Sequence, residues 1–161
     1  MKLTDYTDYT LRVLLYLAVR GEGLSKIADI AEAYGISKSH LMRIVRQLAE
    51  RGWVETVRGR NGGVRLHAES ITLKLGNIVR LTESDFALAP CLPGRQGKGR
   101  ACVIVPHCRV RIALEAATRA FFDELDRYTI GDLAQPEDSL AELLGRRTNI
   151  SANGNCGRID G

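Results

Sequence analysis

Leu3, Tyr6, Thr10, Val13, Leu14 and Leu17 recur at the three- and four-residue spacing of a helix. They predict one over residues 4–20, with Thr4 as its N-cap. Asp5, Asp8 and Arg12 fall off that stripe, and acids in a first turn are favoured by the helix dipole. Gly21 and Gly23 stop the helix. Ser25 is suited to cap a second helix, with Ile27, Ile30, Ala31 and Tyr34 on one face and Gly35 as its stop. Ser37 caps a third, whose apolar stripe is Leu41, Ile44, Val45 and Leu48 and which ends at Gly52. Two short helices joined by a tight turn containing Gly form the helix-turn-helix pattern.

Two strand-like runs follow, 53–57 and 64–66, joined by Arg58-Gly59-Arg60-Asn61-Gly62-Gly63. That segment is rich in residues that accept positive φ and carries arginines at its tip, as in a hairpin turn. A helix-turn-helix followed by a basic hairpin is a winged helix. Its exposed recognition face is expected to be Lys38, Ser39, His40, Arg43, Arg46 and Gln47, with Ser37 at its start. Arg58, Arg60 and Asn61 form the wing. These side chains suit base edges and phosphates, the helix in the major groove and the wing in the minor groove. A further helix is predicted over 71–81 from Ile71, Leu73, Leu75, Ile78, Val79 and Leu81.

The longest helix is predicted from about Arg109 to Tyr128, with Val110, Leu114, Ala117, Phe121, Leu125 and Tyr128 on one stripe. Ala113, Ala116 and Ala120 make a second apolar edge, expected to pack on a twin. Residues 129–135 turn the chain, 139–144 form a last short helix, and 148–161 lack an apolar face and are expected to be disordered. The fold class is therefore mainly α with a small β wing. Residues 1–82 form a winged helix-turn-helix DNA-binding domain, 83–109 a cysteine-rich loop, and 110–147 a long dimerisation helix with a C-terminal helix.

Composition narrows the setting. At 161 residues and 45% hydrophobic, the chain can bury one core. No apolar run approaches the roughly 20 residues of a membrane span. The opening MKLTDYTDYTLR carries acids and no apolar signal core, so a cytoplasmic location with no membrane partner is expected. The net charge of +4 is mild, yet residues 38–66 hold seven Lys/Arg against two Glu. The charge is thus concentrated where double-stranded DNA would lie. No nucleophile motif, phosphate loop or paired carboxylates suggest an enzyme.

The remaining chemistry is in cysteine. Cys91, Cys102 and Cys108 are spaced Cys-x10-Cys-x5-Cys, across a Gly, Arg and Lys-rich stretch that cannot pack a core. Soft thiolates on a loop beside a helix start suit zinc, copper(I) or iron–sulfur. Buried structural cysteines, or one disulfide with a leftover thiol, are the alternatives, though disulfides are rare in the cytoplasm. Cys156 falls in the tail and is expected to be incidental.

With these residues in place, the chain resembles the Rrf-type iron–sulfur winged-helix regulators. LTDYTDYTLR, the run from Tyr34 to Leu66, CVIVPHCR and ELDRYTIGDL carry the resemblance, from Met1 to about Gly145. The last two phrases point to the family's nitric-oxide-sensing branch. The resemblance implies a homodimeric repressor with one cluster per subunit, 4Fe–4S or alternatively 2Fe–2S. Its ligands would be Cys91, Cys102 and Cys108, with Asp8 of the partner subunit as the fourth, and Arg12 close enough to hold that carboxylate or to screen the anionic cluster. Nitric oxide would be the signal, and nitric-oxide detoxification genes the targets. Redox, iron or iron–sulfur status is the alternative input. The gap between Cys91 and Cys102 is longer than in most such relatives, and the glycine-rich insertion can loop out. His107 is a rival ligand by proximity. Members that govern iron–sulfur assembly carry His three residues after the last cysteine, where this chain has Arg111.

Overall fold

The hydroxyl of Thr4 accepts the Thr7 amide and opens helix α1 (Asp5–Arg20), which Gly21 ends with φ 63°. The computed structural model describes residues 2–89, 91–92, 102–104 and 107–145. Helix α2 (Ile27–Tyr34) ends on Gly35 in the left-handed region, a conformation that glycine adopts without penalty. Helix α3 (Lys38–Glu50) begins where the Ser37 hydroxyl accepts the His40 amide. Strands β1 (Val54–Val57) and β2 (Gly63–Leu66) pair antiparallel, Val54 opposite Leu66 and Val57 opposite Gly63. This is the winged helix that the periodicity predicts.

The core is built where those stripes meet. Val13, Leu14 and Leu17 of α1 pack with Ile30 of α2 and with Leu41, Ile44, Val45 and Leu48 of α3. Val54 and Val64 close it from the wing and Ile78 from below. Burial of these aliphatic side chains, roughly 1.5–3 kcal/mol each, dominates what holds the helices together.

Several local expectations need correction. Ser25 does not cap α2; Lys26 occupies that position, with no side-chain cap bond. Instead Ser25 exchanges two backbone hydrogen bonds with Val64, at 2.9 and 2.8 Å. The segment before α2 thereby extends the wing sheet. A side chain at Gly63 would collide with the Ser25 carbonyl, so the approach requires glycine there.

The helix predicted over 71–81 is broken. A 3₁₀ turn (Ala68–Thr72) is followed, after extended Leu73 and Lys74, by helix α4 (Leu75–Thr82). The break has a tertiary cause: the Leu75 amide donates to the Tyr128 carbonyl, the Ile130 amide donates to Leu73, and Lys74 bridges to Thr129.

Helix α5 (Arg109–Leu125) stops earlier than expected, and residues 129–135 contain a helical turn, α6 (Ile130–Leu133). Thr129 and Asp132 form a reciprocal capping box there, and Ile130 is driven into the core. Helix α7 (Glu137–Gly145) starts sooner than Ser139. Both α6 and α7 pack back against α1. The tail 148–161, with Cys156, lies outside the described residues.

Candidate DNA interface and metal centre

The wing and α3 present one basic surface. Lys38, Ser39, His40 and Arg43 are exposed along the outer face of α3, with Ser37 at its start. Arg46 is exposed and paired with Glu50 one turn on, Nε to Oε1 3.0 Å. Such an exposed pair is weak, so Arg46 is available to a phosphate. Arg58, Arg60 and Asn61 are exposed on the wing turn. That turn is closed by the Gly62 amide donating to the Gly59 carbonyl, with Gly59 at φ 112°. At the base of the wing Glu55 pairs across the strands with Arg65, 2.7 Å, so Arg65 is spent on its neighbour.

Two positions on α3 differ from the sequence expectation. Gln47 is half-buried, with its Oε1 enclosed and without a hydrogen-bond partner, so it belongs to the inner edge. Met42 is 54% exposed and lies one turn from both Lys38 and Arg46. Its spacing from Lys38 and Arg46 puts it on the same face, a position that an apolar residue type does not signal in the sequence. A methionine there suits a thymine methyl group.

The cysteines occupy the approach to α5. Cys108 is half-buried and caps that helix, its sulfur accepting the Arg111 amide at 3.4 Å. A sulfur at a helix N-terminus sits where the dipole favours negative charge. Arg111 itself is held by Glu115, 2.8 Å. Cys91 is half-buried beside Leu92, which is buried, and Cys102 is exposed. None of the three forms a disulfide, so the donor set keeps three soft thiols and fits an iron–sulfur or zinc centre.

Among the described residues, no three His, Cys, Asp or Glu side chains gather closely enough to hold a metal ion. Most of the segment joining Cys91 to Cys102, with Arg95, Lys98 and Arg100, lies outside them. His107 is exposed. Asp8 lies on α1, where its Oδ2 accepts from Arg12 Nε at 2.9 Å. It is not brought to the cysteines of its own chain.

Helix α5 buries none of its residues fully. Its inner edge is Leu114, Thr118, Phe121, Phe122 and Leu125, all half-buried. The expected stripe is therefore rotated: Val110, Ala117 and Tyr128 are exposed, while Phe122 turns inward. Phe122 meets Phe86 edge-on at 4.7 Å and lies under the Arg80 guanidinium at 4.2 Å. Arg80 in turn grips Asp126 through two hydrogen bonds, 2.8 and 2.7 Å, fastening α4 to the end of α5. Ala113, Ala116 and Ala120 are exposed.

Known proteins agree with this architecture. The family described as Rrf2, iron-dependent transcriptional regulator, matches residues 3–136. The HTH-type transcriptional regulator NsrR of Bacillus licheniformis is 43% identical over 145 residues, covering 89% of this chain and 99% of that protein. The regulator of the same name from Geobacillus kaustophilus is 45% identical over 148 residues, covering 91% and 99%. Among solved structures, Staphylococcus aureus CymR in its oxidized form superposes with TM-score 0.63 at 26% identity, over 84% of this chain and 97% of that one. The T. potens IscR shares the fold, with TM-score 0.65 at 23% identity over 87% and 90%. The relatives are regulators and not enzymes, and no helix among the described residues is long and apolar enough to cross a membrane. This chain belongs to the Rrf2 family of transcriptional regulators.

Proposed function

We propose that the protein is a homodimeric transcriptional repressor whose affinity for promoter DNA is governed by a nitric-oxide-sensitive iron–sulfur cluster. The observation that carries this reading is a basic recognition face joined, in one chain, to three free thiols, Cys108 capping α5 and Cys91 and Cys102 in the segment before it. The identity of 43% and 45% to regulators named NsrR supports it, as do the phrases CVIVPHCR and ELDRYTIGDL. Cys91, Cys102 and Cys108 would hold the cluster, with Asp8 of the partner subunit as its fourth ligand. The cluster, 4Fe–4S in the leading form and 2Fe–2S in the alternative, would supply iron reactive toward nitric oxide.

The chain's own residues do the rest. Ile112, 64% exposed, shares one edge of α5 with the exposed Ala113, Ala116 and Ala120, an apolar surface that a second copy would cover. A single carboxylate reaching across such an interface ties the metal site to dimer geometry. When the thiols and Asp8 lose their common anchor, α1 is free to move, and α3 is packed directly against α1. Two recognition helices that must reach half-sites about 34 Å apart tolerate little rotation. Repression would end, and the genes released would be those of nitric-oxide detoxification in the cytoplasm.

The exposure of Cys102 supports a second reading, in which the same fold responds to redox or iron status. Anaerobic purification, a visible spectrum and titration with nitric oxide during promoter binding separate the two. A brown protein that bleaches and releases DNA together is the expected result. A brown protein indifferent to nitric oxide, or a colourless one free of iron and sulfide, overturns the leading reading.

A further inference from the structure

Asp8, Arg12, Tyr16 and Arg20 stand four residues apart along α1 and so share one edge of that helix. Tyr34, the last residue of α2, lies against the same edge. The Arg12 guanidinium carbon is 5.5 Å from the centroid of the Tyr34 ring, while its Nε holds Asp8 at 2.9 Å. Tyr34 meets Tyr16 edge-on, centroids 6.3 Å apart and planes 67° apart. Arg20 covers the Tyr16 ring at 5.2 Å. Carboxylate, guanidinium, ring, ring and guanidinium thus follow one another in contact.

The position of Tyr34 makes this more than packing. Gly35 follows it in the left-handed conformation, then Ile36, then Ser37, which caps the recognition helix. Whatever seats Tyr34 therefore sets the turn that aims α3. The Tyr34 hydroxyl is buried without a hydrogen-bond partner, so the ring, not the hydroxyl, is what the surroundings use. Burial pushes the Tyr34 pKa up to about 12, against the pull of Arg12, and the ring stays neutral at physiological pH. A neutral ring offers a guanidinium an attractive face.

We infer that this edge is the coupling element between Asp8 and the recognition helix, with Arg12 and Tyr34 as positioning residues. The inference rests on the proposed role of Asp8 as a ligand. A carboxylate that gives its charge to a metal holds a guanidinium less tightly. Arg12 then keeps the Tyr34 face as its remaining anchor, and the seat of the α2–α3 turn changes with it. Neither residue touches DNA or metal in this account.

The test compares promoter affinity of cluster-loaded and cluster-free protein, both prepared anaerobically, in Tyr34→Leu, Tyr34→Phe and Arg12→Gln. Allosteric couplings commonly span roughly 5- to 150-fold in affinity. Tyr34→Leu is expected to keep the parent's cluster content and to bring the loaded-to-free ratio to about one. Arg12→Gln, compared with the parent at equal cluster occupancy, is expected to bring the ratio to about one as well. Tyr34→Phe, which keeps the ring and removes only an unpaired hydroxyl, is expected to retain the parent's ratio. In cluster-free protein, Asp8→Asn should speed amide hydrogen exchange at residues 35–37, a readout independent of metal. A folded Tyr34→Leu with the parent's ratio overturns the inference; if that variant does not fold, an unchanged ratio in Arg12→Gln does so. An Asp8→Asn protein with the parent's spectrum overturns the ligand reading and the coupling together. An altered Asp8→Asn spectrum beside an unchanged Tyr34→Leu ratio overturns the coupling alone.

Discussion

Arg43 stands exposed in the middle of α3 and, among the described residues, forms no ion pair, unlike Arg46 and Arg65. An arginine so placed reads a base edge more readily than one already matched to a carboxylate. Arg43→Ala should cost about 1–3 kcal/mol of operator binding and relax preference at one base position. A loss that is uniform across all sequences would make Arg43 a phosphate contact. At this scale the sequence was legible wherever a residue acts on its immediate neighbours. Thr4 and Ser37 cap the helices that they were expected to cap, because an N-cap needs only amides two or three residues on. Ser25 failed for the converse reason: Val64, far along the chain, supplies better backbone partners. Thr7 went unnoticed for the same cause, since its fully buried hydroxyl donates to Thr82.

Among the elements, α5 depends on attachment because it buries so little of itself. The Arg80–Asp126 clamp supplies part of that attachment. The Arg80 hydrogen bonds, and secondarily its charge, hold the Asp126 carboxyl below the usual range. A folded pKa below the unfolded one adds stability at pH above about 4, and that contribution is lost as pH falls through the folded value. Asp126→Asn should therefore lower the melting temperature at pH 7, and the gap to the parent should close as the pH is taken toward 3. An equal gap at both pH values would show that the substitution acts through packing alone. Periodicity located α1 to α5 because each carries a recurring apolar face. It missed α6 because four residues are too few to show a period, although Thr129 and Asp132 carry a local capping signal. It missed the break before α4 because that break is made by pairing between residues 73–75 and 128–130. Nothing in either segment by itself records the other.

For the whole molecule, the exposed apolar edge of α5 is the surface on which the proposed dimer rests. Ile112→Glu should give a monomer at micromolar concentration by sedimentation, with operator affinity reduced by about a hundredfold through loss of the second half-site. A variant that sediments as the parent does would place the interface elsewhere. The winged helix was legible at this scale, since an ordered run of helix-turn-helix and basic hairpin admits few packings. The candidate metal centre was legible as chemistry only. Its cysteines can be counted and spaced, but the described residues do not gather them, and Asp8 is engaged with Arg12 on its own helix.

The chain's pattern by itself determined the elements with a face, the caps that start them, the basic surface and the supply of thiols. Each follows from interactions within a few residues. Tertiary structure decided which ends of those elements meet. It set Ser25 against the wing, broke the helix at Leu73, sent Ile130 into the core and laid Arg12 over Tyr34. These contacts join residues distant in sequence, and their free energy comes from burial and backbone pairing that exist only once the helices have packed.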